Sequence, residues 1–194
     1  MAYADDMSQP DAPWAAAIVD DKTFDMDGFL AAIVRGQLAL QRRVHGCLMK
    51  RPPRQSGCAT TMVLEDIATG DKYLVSQPMG TGSKACRADP QGFARASQVF
   101  RAALLRRPDL VVSNRFGDLE VMRSGFVAEL LAVMAEGVPL LTTVASRNVH
   151  AWKDFTGGGL LLPPDSEVIA DWIDRAVAAS RTLASPMPEL SEKV

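Results

Sequence analysis

Three cysteines, at positions 47, 58 and 86, are too few and too odd in number for a disulfide framework in a chain of 194 residues. They point to thiols in a reducing compartment. No run of about 18 apolar residues occurs, so no membrane insertion is expected. Aromatic residues make up only 6% of the chain, and charge is nearly balanced, with 21 Lys and Arg against 23 Asp and Glu. That balance supplies no field to hold nucleic acid. The opening stretch MAYADDMSQPDAPW is acidic and polar, without the basic and apolar parts of a signal peptide, and predicts a cytoplasmic protein. No internal repeat is present.

What is present is an ordinary globular composition, 47% hydrophobic and 23% charged, at a length that suits one buried core. A flexible N-terminus is expected over 1–13, a single α/β domain over 14–184 and a C-terminal tail over 185–194. Short apolar runs that read as buried strands (WAAAIVD, VHGCLMK, DLVVSN, VPLLTTVA, GLLLPP) alternate with segments of helical period. Phe29, Leu30, Ile33, Val34 and Leu38 share one helix face, with Asp25 as its cap. Asp89 and Pro90 open a second helix carrying Phe93, Ala96, Phe100, Ala103 and Leu104. Ser124 to Glu136 predicts a third, stopped by Gly137. The last helix shows a stripe of Val168, Ile169, Trp172, Ile173, Ala176 and Val177, which suits either the domain's own core or a homo-oligomer contact. Two β-like runs joined by ATGD predict a hairpin inserted between parallel units. The pattern predicts a three-layer, mainly parallel sheet with helices on both faces, and ligands in such sheets bind beyond the carboxyl ends of the strands.

The segments LVVSNRFGDLEVMRSGF and GVPLLTTVASRNVHAWKDFTGG, together with LEDIATGDKYLVSQ and ACRADPQGF, resemble the bacterial family catalogued as domain of unknown function 2478. The resemblance runs from about Ala17 to Gly158. That family is distantly similar to the P-loop nucleoside triphosphatases and is often associated with molybdenum transport. The resemblance therefore implies a P-loop-NTPase-like fold and a role near molybdate.

A working phosphate loop needs Gly-x-x-x-x-Gly-Lys-Ser/Thr, because backbone N–H groups wrap the phosphates, the lysine reaches them and the hydroxyl binds magnesium. After the first strand this chain has VDDKTFDMDGF, with Lys22 and Thr23 but no preceding glycine and four nearby aspartates. The stretch Gly80, Thr81, Gly82, Ser83, Lys84 has the composition without the spacing, and reads as a solvated loop or as an anion-binding nest. Related triphosphatases keep acids for magnesium and water after the third parallel strand. Here Asn114 and Arg115 take those places, so hydrolysis by that mechanism is not expected.

Arg115 suits an oxyanion or phosphate, or a surface pair with Asp118 or Glu120. Glu120 matches the glutamate of the triphosphatase pattern, or solvates a helix start. Ser146, Arg147 and Asn148 stand where a strand meets a helix, and read either as an anion site or as ordinary caps. His150 and Trp152 read as a base-stacking pair or as packing residues. His45 and Cys47 share one strand face, and with Cys58 and Cys86 they compose a candidate soft-metal set, the alternative being buried or free thiols.

These features point to a non-hydrolysing accessory or regulatory protein that binds a small-molecule anion, a nucleotide or molybdate, with a homo-oligomer or a partner protein as further associates. The alternatives are a divergent nucleoside triphosphatase and a thiol-based metal-binding or redox protein.

Overall fold

The computed structural model describes residues 14–50, 61–78 and 86–184. Strand β1 (Ala15–Asp20) leads into α1 (Met26–Ala39), followed by β2 (Val44–Lys50), β3 (Val63–Asp66), β4 (Lys72–Leu74), β5 (Ser76–Pro78) and β6 (Cys86–Ala88). Helix α2 (Pro90–Leu105) precedes β7 (Leu110–Phe116), α3 (Asp118–Val121), α4 (Val127–Ala135) and β8 (Leu140–Ala145). A 3₁₀ turn (Ser146–Asn148), α5 (Val149–Thr156), β9 (Leu160–Leu162) and α6 (Ser166–Ala184) complete the order.

The main sheet runs β4-β3-β2-β7-β8-β1-β9. Its β2, β7, β8, β1 and β9 are parallel, whereas β3 and β4 join antiparallel. Successive side chains of a strand point to opposite faces, and β1 shows the consequence. Ala15 and Ala17 join the core under α2, α4 and α5 with Phe100, Leu130 and Trp152, while Ala16 and Ile18 join the core under α1 and α6 with Leu30, Ile169 and Trp172. Each layer thus buries one large indole. The Trp152 Nε1–H donates to the Leu160 carbonyl at 3.3 Å. The Trp172 Nε1–H has no acceptor among the described residues.

The three-layer expectation holds, and so does the hairpin between parallel units. Met49 pairs with Leu64 and Leu64 with Tyr73, so β3 and β4 lengthen the main sheet at its edge. A second antiparallel pair, β5 with β6, was not foreseen, because three-residue strands carry too little alternation to read. In α6 the predicted stripe is buried from Ile169 to Val177, but Val168 lies outside it at 41% exposure. Gly46 shows why β2 needs a glycine. Its φ is 116°, and a Cβ there would stand 2.0 Å from the Val112 carbonyl oxygen.

Candidate functional site

Because β1, β7 and β8 are parallel neighbours, their last residues open on one edge, where Asp20 lies in register with Ala145. The β7–β8 ladder is irregular between Ser113 and Phe116, and this break re-aims the side chains of Asn114 and Arg115. Asn114 is buried and fully engaged. Its Oδ1 accepts the Met49 N–H at 2.8 Å, its Nδ2 donates to Asp27 Oδ1 at 3.0 Å, and its carbonyl accepts the Thr143 hydroxyl at 2.5 Å. One side chain and its carbonyl therefore tie β2, α1 and β8 together.

Arg115 does not reach Asp118 or Glu120. Its Nη2 lies 3.6 Å from Asp20 Oδ2 and 3.7 Å from Asp27 Oδ1, between the end of β1 and the first turn of α1. The five-residue connection 21–25 is closed by its own carboxylates. Asp20 accepts the Lys22 N–H at 2.9 Å, Asp21 accepts both the Thr23 N–H and its hydroxyl, and Asp25 accepts the Gly28 N–H at 3.0 Å. A Cβ on Gly28 would stand 2.3 Å from Asp25 Oδ2, so that carboxylate lies directly over the amino end of α1.

Glu120 is neither solvated nor at the mouth of this edge. It is 6% exposed and accepts the Gly117 N–H at 2.9 Å and the Phe126 N–H at 3.1 Å, bracing the loop between β7 and α4 from within. Burial pushes its pKa up against the pull of those hydrogen bonds. Gly125, at φ 62°, would place a Cβ 2.1 Å from Glu120 Oε1. The glycine at 125 is the sequence's trace of this brace.

Arg147 and Asn148 act together, but on a carboxylate rather than as caps. Arg147 Nη2 stands 2.9 Å from both Asp118 oxygens, and Asn148 Nδ2 donates to Asp118 Oδ1 at 3.0 Å. Hydrogen bonds from Asn148 and then Arg147 hold the Asp118 carboxyl below the usual range. Ser146 is exposed, and the turn has no side-chain cap. His150 is exposed beside Asp154, whereas Trp152 is fully buried against Phe116 and Phe155.

Gly80, Gly82, Ser83, Lys84 and Cys58 lie outside the described residues, and for Cys86 only the backbone, in β6, is described. Burial, and behind it the charge of Asp66, pushes the Cys47 thiol far up, so it stays protonated in the core. Burial followed by Arg106 lowers the His45 pKa. Among the described residues no group of three or more His, Cys, Asp or Glu is placed to hold a metal ion.

Residues 15–172 match the family described as protein of unknown function (DUF2478). The chain belongs to that family. This DUF2478 chain is also similar to the Molybdenum import ATP-binding protein ModC 2 of Bradyrhizobium diazoefficiens, 33% identical over 168 residues. The match takes in 86% of this chain and 19% of that relative, so the chain spans about a fifth of the relative's length. Among solved structures it is similar to a human cancer-related nucleoside triphosphatase, with a TM-score of 0.56 and 13% identity over 89% of this chain and 99% of that one. At that identity the likeness speaks for the fold alone, which is P-loop-NTPase-like.

That fold implies a magnesium-bound triphosphate between the first strand and its helix, and the residues here do not fit one. At the amino end of α1 the Gly28 N–H is already taken by the Asp25 carboxylate, and Asp20, Asp21 and Asp27 in the adjoining connection carry charge of the same sign as phosphate. Asn114 carries a neutral amide in place of a carboxylate, and its Oδ1 already accepts the Met49 N–H.

Proposed function

We propose that this DUF2478 chain is a non-hydrolysing accessory or regulatory module on a P-loop-NTPase-like fold, recognising a nucleotide or an oxyanion such as molybdate. The observation that carries the reading is the Asp25 carboxylate hydrogen-bonded at the amino end of α1, where the fold would otherwise receive a phosphate. The molybdenum connection draws on the name of the ModC 2 relative. The groups for the anion are Arg115 and Arg147 with Ser146. Arg147 pairs with the exposed Asp118, a contact typically worth about 1 kcal/mol or less, and Arg115 stands at the long distances of 3.6 and 3.7 Å from Asp20 and Asp27, so a ligand oxyanion can compete for either guanidinium.

Calorimetric titration with ATP, GTP and molybdate, each with and without magnesium, tests the binding, and a phosphate-release assay runs beside it. Saturable heat without phosphate release, weakened by Arg115→Ala, is the expected result. Absence of heat with all three ligands rules out the ligand assignment. Magnesium-dependent phosphate release, lost on changing Lys84 or Glu120, would replace the reading with a divergent triphosphatase.

A further inference from the structure

The opposite edge of the sheet, where β2, β7 and β8 begin, carries a feature that no reading of the carboxyl edge uses. Among the described residues a cleft of about 810 Å³ opens there, within the size range of small-molecule sites. Trp14, Leu104 and Met134 give it an apolar wall, and Arg43, Arg107 and Arg181 line it with guanidinium groups. Two of these are fixed in place. The buried Asp109 carboxylate accepts from Arg43 Nε and Nη2 at 3.2 and 2.9 Å and from Arg181 Nε and Nη2 at 3.3 and 3.0 Å. Their side chains remain more than half exposed, so each is oriented yet still wetted by the cleft.

Arg107 differs from both. It is exposed in the turn between α2 and β7, its backbone takes the left-handed φ of 47°, and its side chain makes no ion pair among the described residues. Among the described lining residues, Arg107 adds an exposed guanidinium beside the Asp109 cluster and the Glu136 carboxylate. An exposed guanidinium beside an apolar wall is complementary to a ligand with one anionic group on a flat apolar body.

We propose that this amino-edge cleft binds a small organic anion, a carboxylate, sulfonate or phosphate monoester on an aromatic or aliphatic body. Arg107 is the anion's main contact and Trp14 and Met134 cover the body. The competing explanation is local. The carboxyl ends of α2 and α4 reach the same edge, and their partial negative charge favours arginines there with no ligand at all.

Fluorescence titration of the full chain with anilinonaphthalene sulfonate, a flat apolar body with one sulfonate, separates the two. The proposal expects saturable binding of one equivalent with energy transfer from tryptophan that falls in Trp14→Phe. It also expects about tenfold weaker binding in Arg107→Gly, the loss of one charge-assisted contact, and near-native binding in Arg107→Lys. Arg107→Gly should leave the melting temperature unchanged or higher, because glycine takes a positive φ without strain. Absence of saturable binding, or binding that Arg107→Gly leaves unaltered, would overturn the proposal. A lower melting temperature in Arg107→Gly with unaltered binding would assign Arg107 to the helix end instead.

Discussion

The two edges of the sheet carry mirror-image charge clusters. At the amino edge one carboxylate, Asp109, is gripped by two guanidiniums, and at the carboxyl edge one guanidinium, Arg115, stands between two carboxylates. The first is short and buried, with Asp109 3% exposed in its side chain and contacts of 2.9 and 3.0 Å. The second is longer, with contacts of 3.6 and 3.7 Å and carboxylates 10% and 17% exposed, although Arg115 itself is less exposed than Arg43 or Arg181. Burial raises the cost of separating charges and geometry decides how much of it is recovered. The Asp109 cluster is therefore a structural lock between the start of β7 and α6, and the Arg115 cluster is a weak closure that a ligand can exchange.

The largest effect should come from breaking the lock. Asp109→Ala removes the acceptor of two guanidiniums and of the Arg43 backbone N–H, and should cost about 3 kcal/mol in denaturant unfolding. The pH dependence sharpens the point. Burial alone would raise the Asp109 pKa, but hydrogen bonds from Arg43 and Arg181 outweigh it and hold the carboxyl well below its ordinary 3.8. A carboxyl depressed on folding contributes stability that is full above its unfolded pKa and lost as pH falls below it. Wild type should lose stability steeply below about pH 4, and Asp109→Asn should flatten that slope.

Glu120→Ala ranks next. It strands the Gly117 and Phe126 N–H groups and should cost about 2 kcal/mol. Its pH sign is the opposite of Asp109's. The folded pKa is raised above 4.5, so the folded state holds the proton where the unfolded chain has lost it. Stability from this group therefore falls as pH rises through that window. In the Asp109→Asn background, acidification from about pH 7 to about pH 5 should hold or raise the melting temperature.

Asn114→Asp restores an acid at the expected magnesium position, yet it replaces a donor to Asp27 by a like charge. We expect a loss of about 1 kcal/mol and no phosphate release, and turnover in that variant would show the edge to be one substitution from catalysis. The smallest change is Arg115→Ala, below about 1 kcal/mol and diminishing with added salt, as a partly exposed pair requires. A larger loss would mean that the two clusters are equally structural.

Much of the fold was legible because its signals are local and periodic. The unbroken apolar run of Ala15 to Val19 says that β1 is buried on both faces, the stripe from Ile169 to Val177 says which face of α6 is buried, and Asp25 and Asp89 mark helix starts. At the carboxyl edge the sequence was legible as an absence and a replacement, since the Gly-x-x-x-x-Gly-Lys-Ser/Thr spacing does not occur and Asn114 and Arg115 stand near the end of β7. The partners were not. Arg115 was weighed against Asp118 and Glu120, three and five residues away, whereas its carboxylates come from β1 and α1, nearly a hundred residues earlier. For Glu120 the sequence offers a triphosphatase-like glutamate or a solvated helix start, and nothing in its spacing tells that the loop folds over it.

The sequence by itself determined a mainly parallel α/β domain and showed that the Gly-x-x-x-x-Gly-Lys-Ser/Thr spacing does not occur, because hydrophobic period and motif spacing are properties of neighbours along the chain. Only the tertiary structure decided that Asp25 faces the amino end of α1, that Asn114 is an internal tie, and that Asp109 collects Arg43 and Arg181. Those outcomes depend on which strands lie side by side, and parallel β7 brings together residues that the chain keeps far apart.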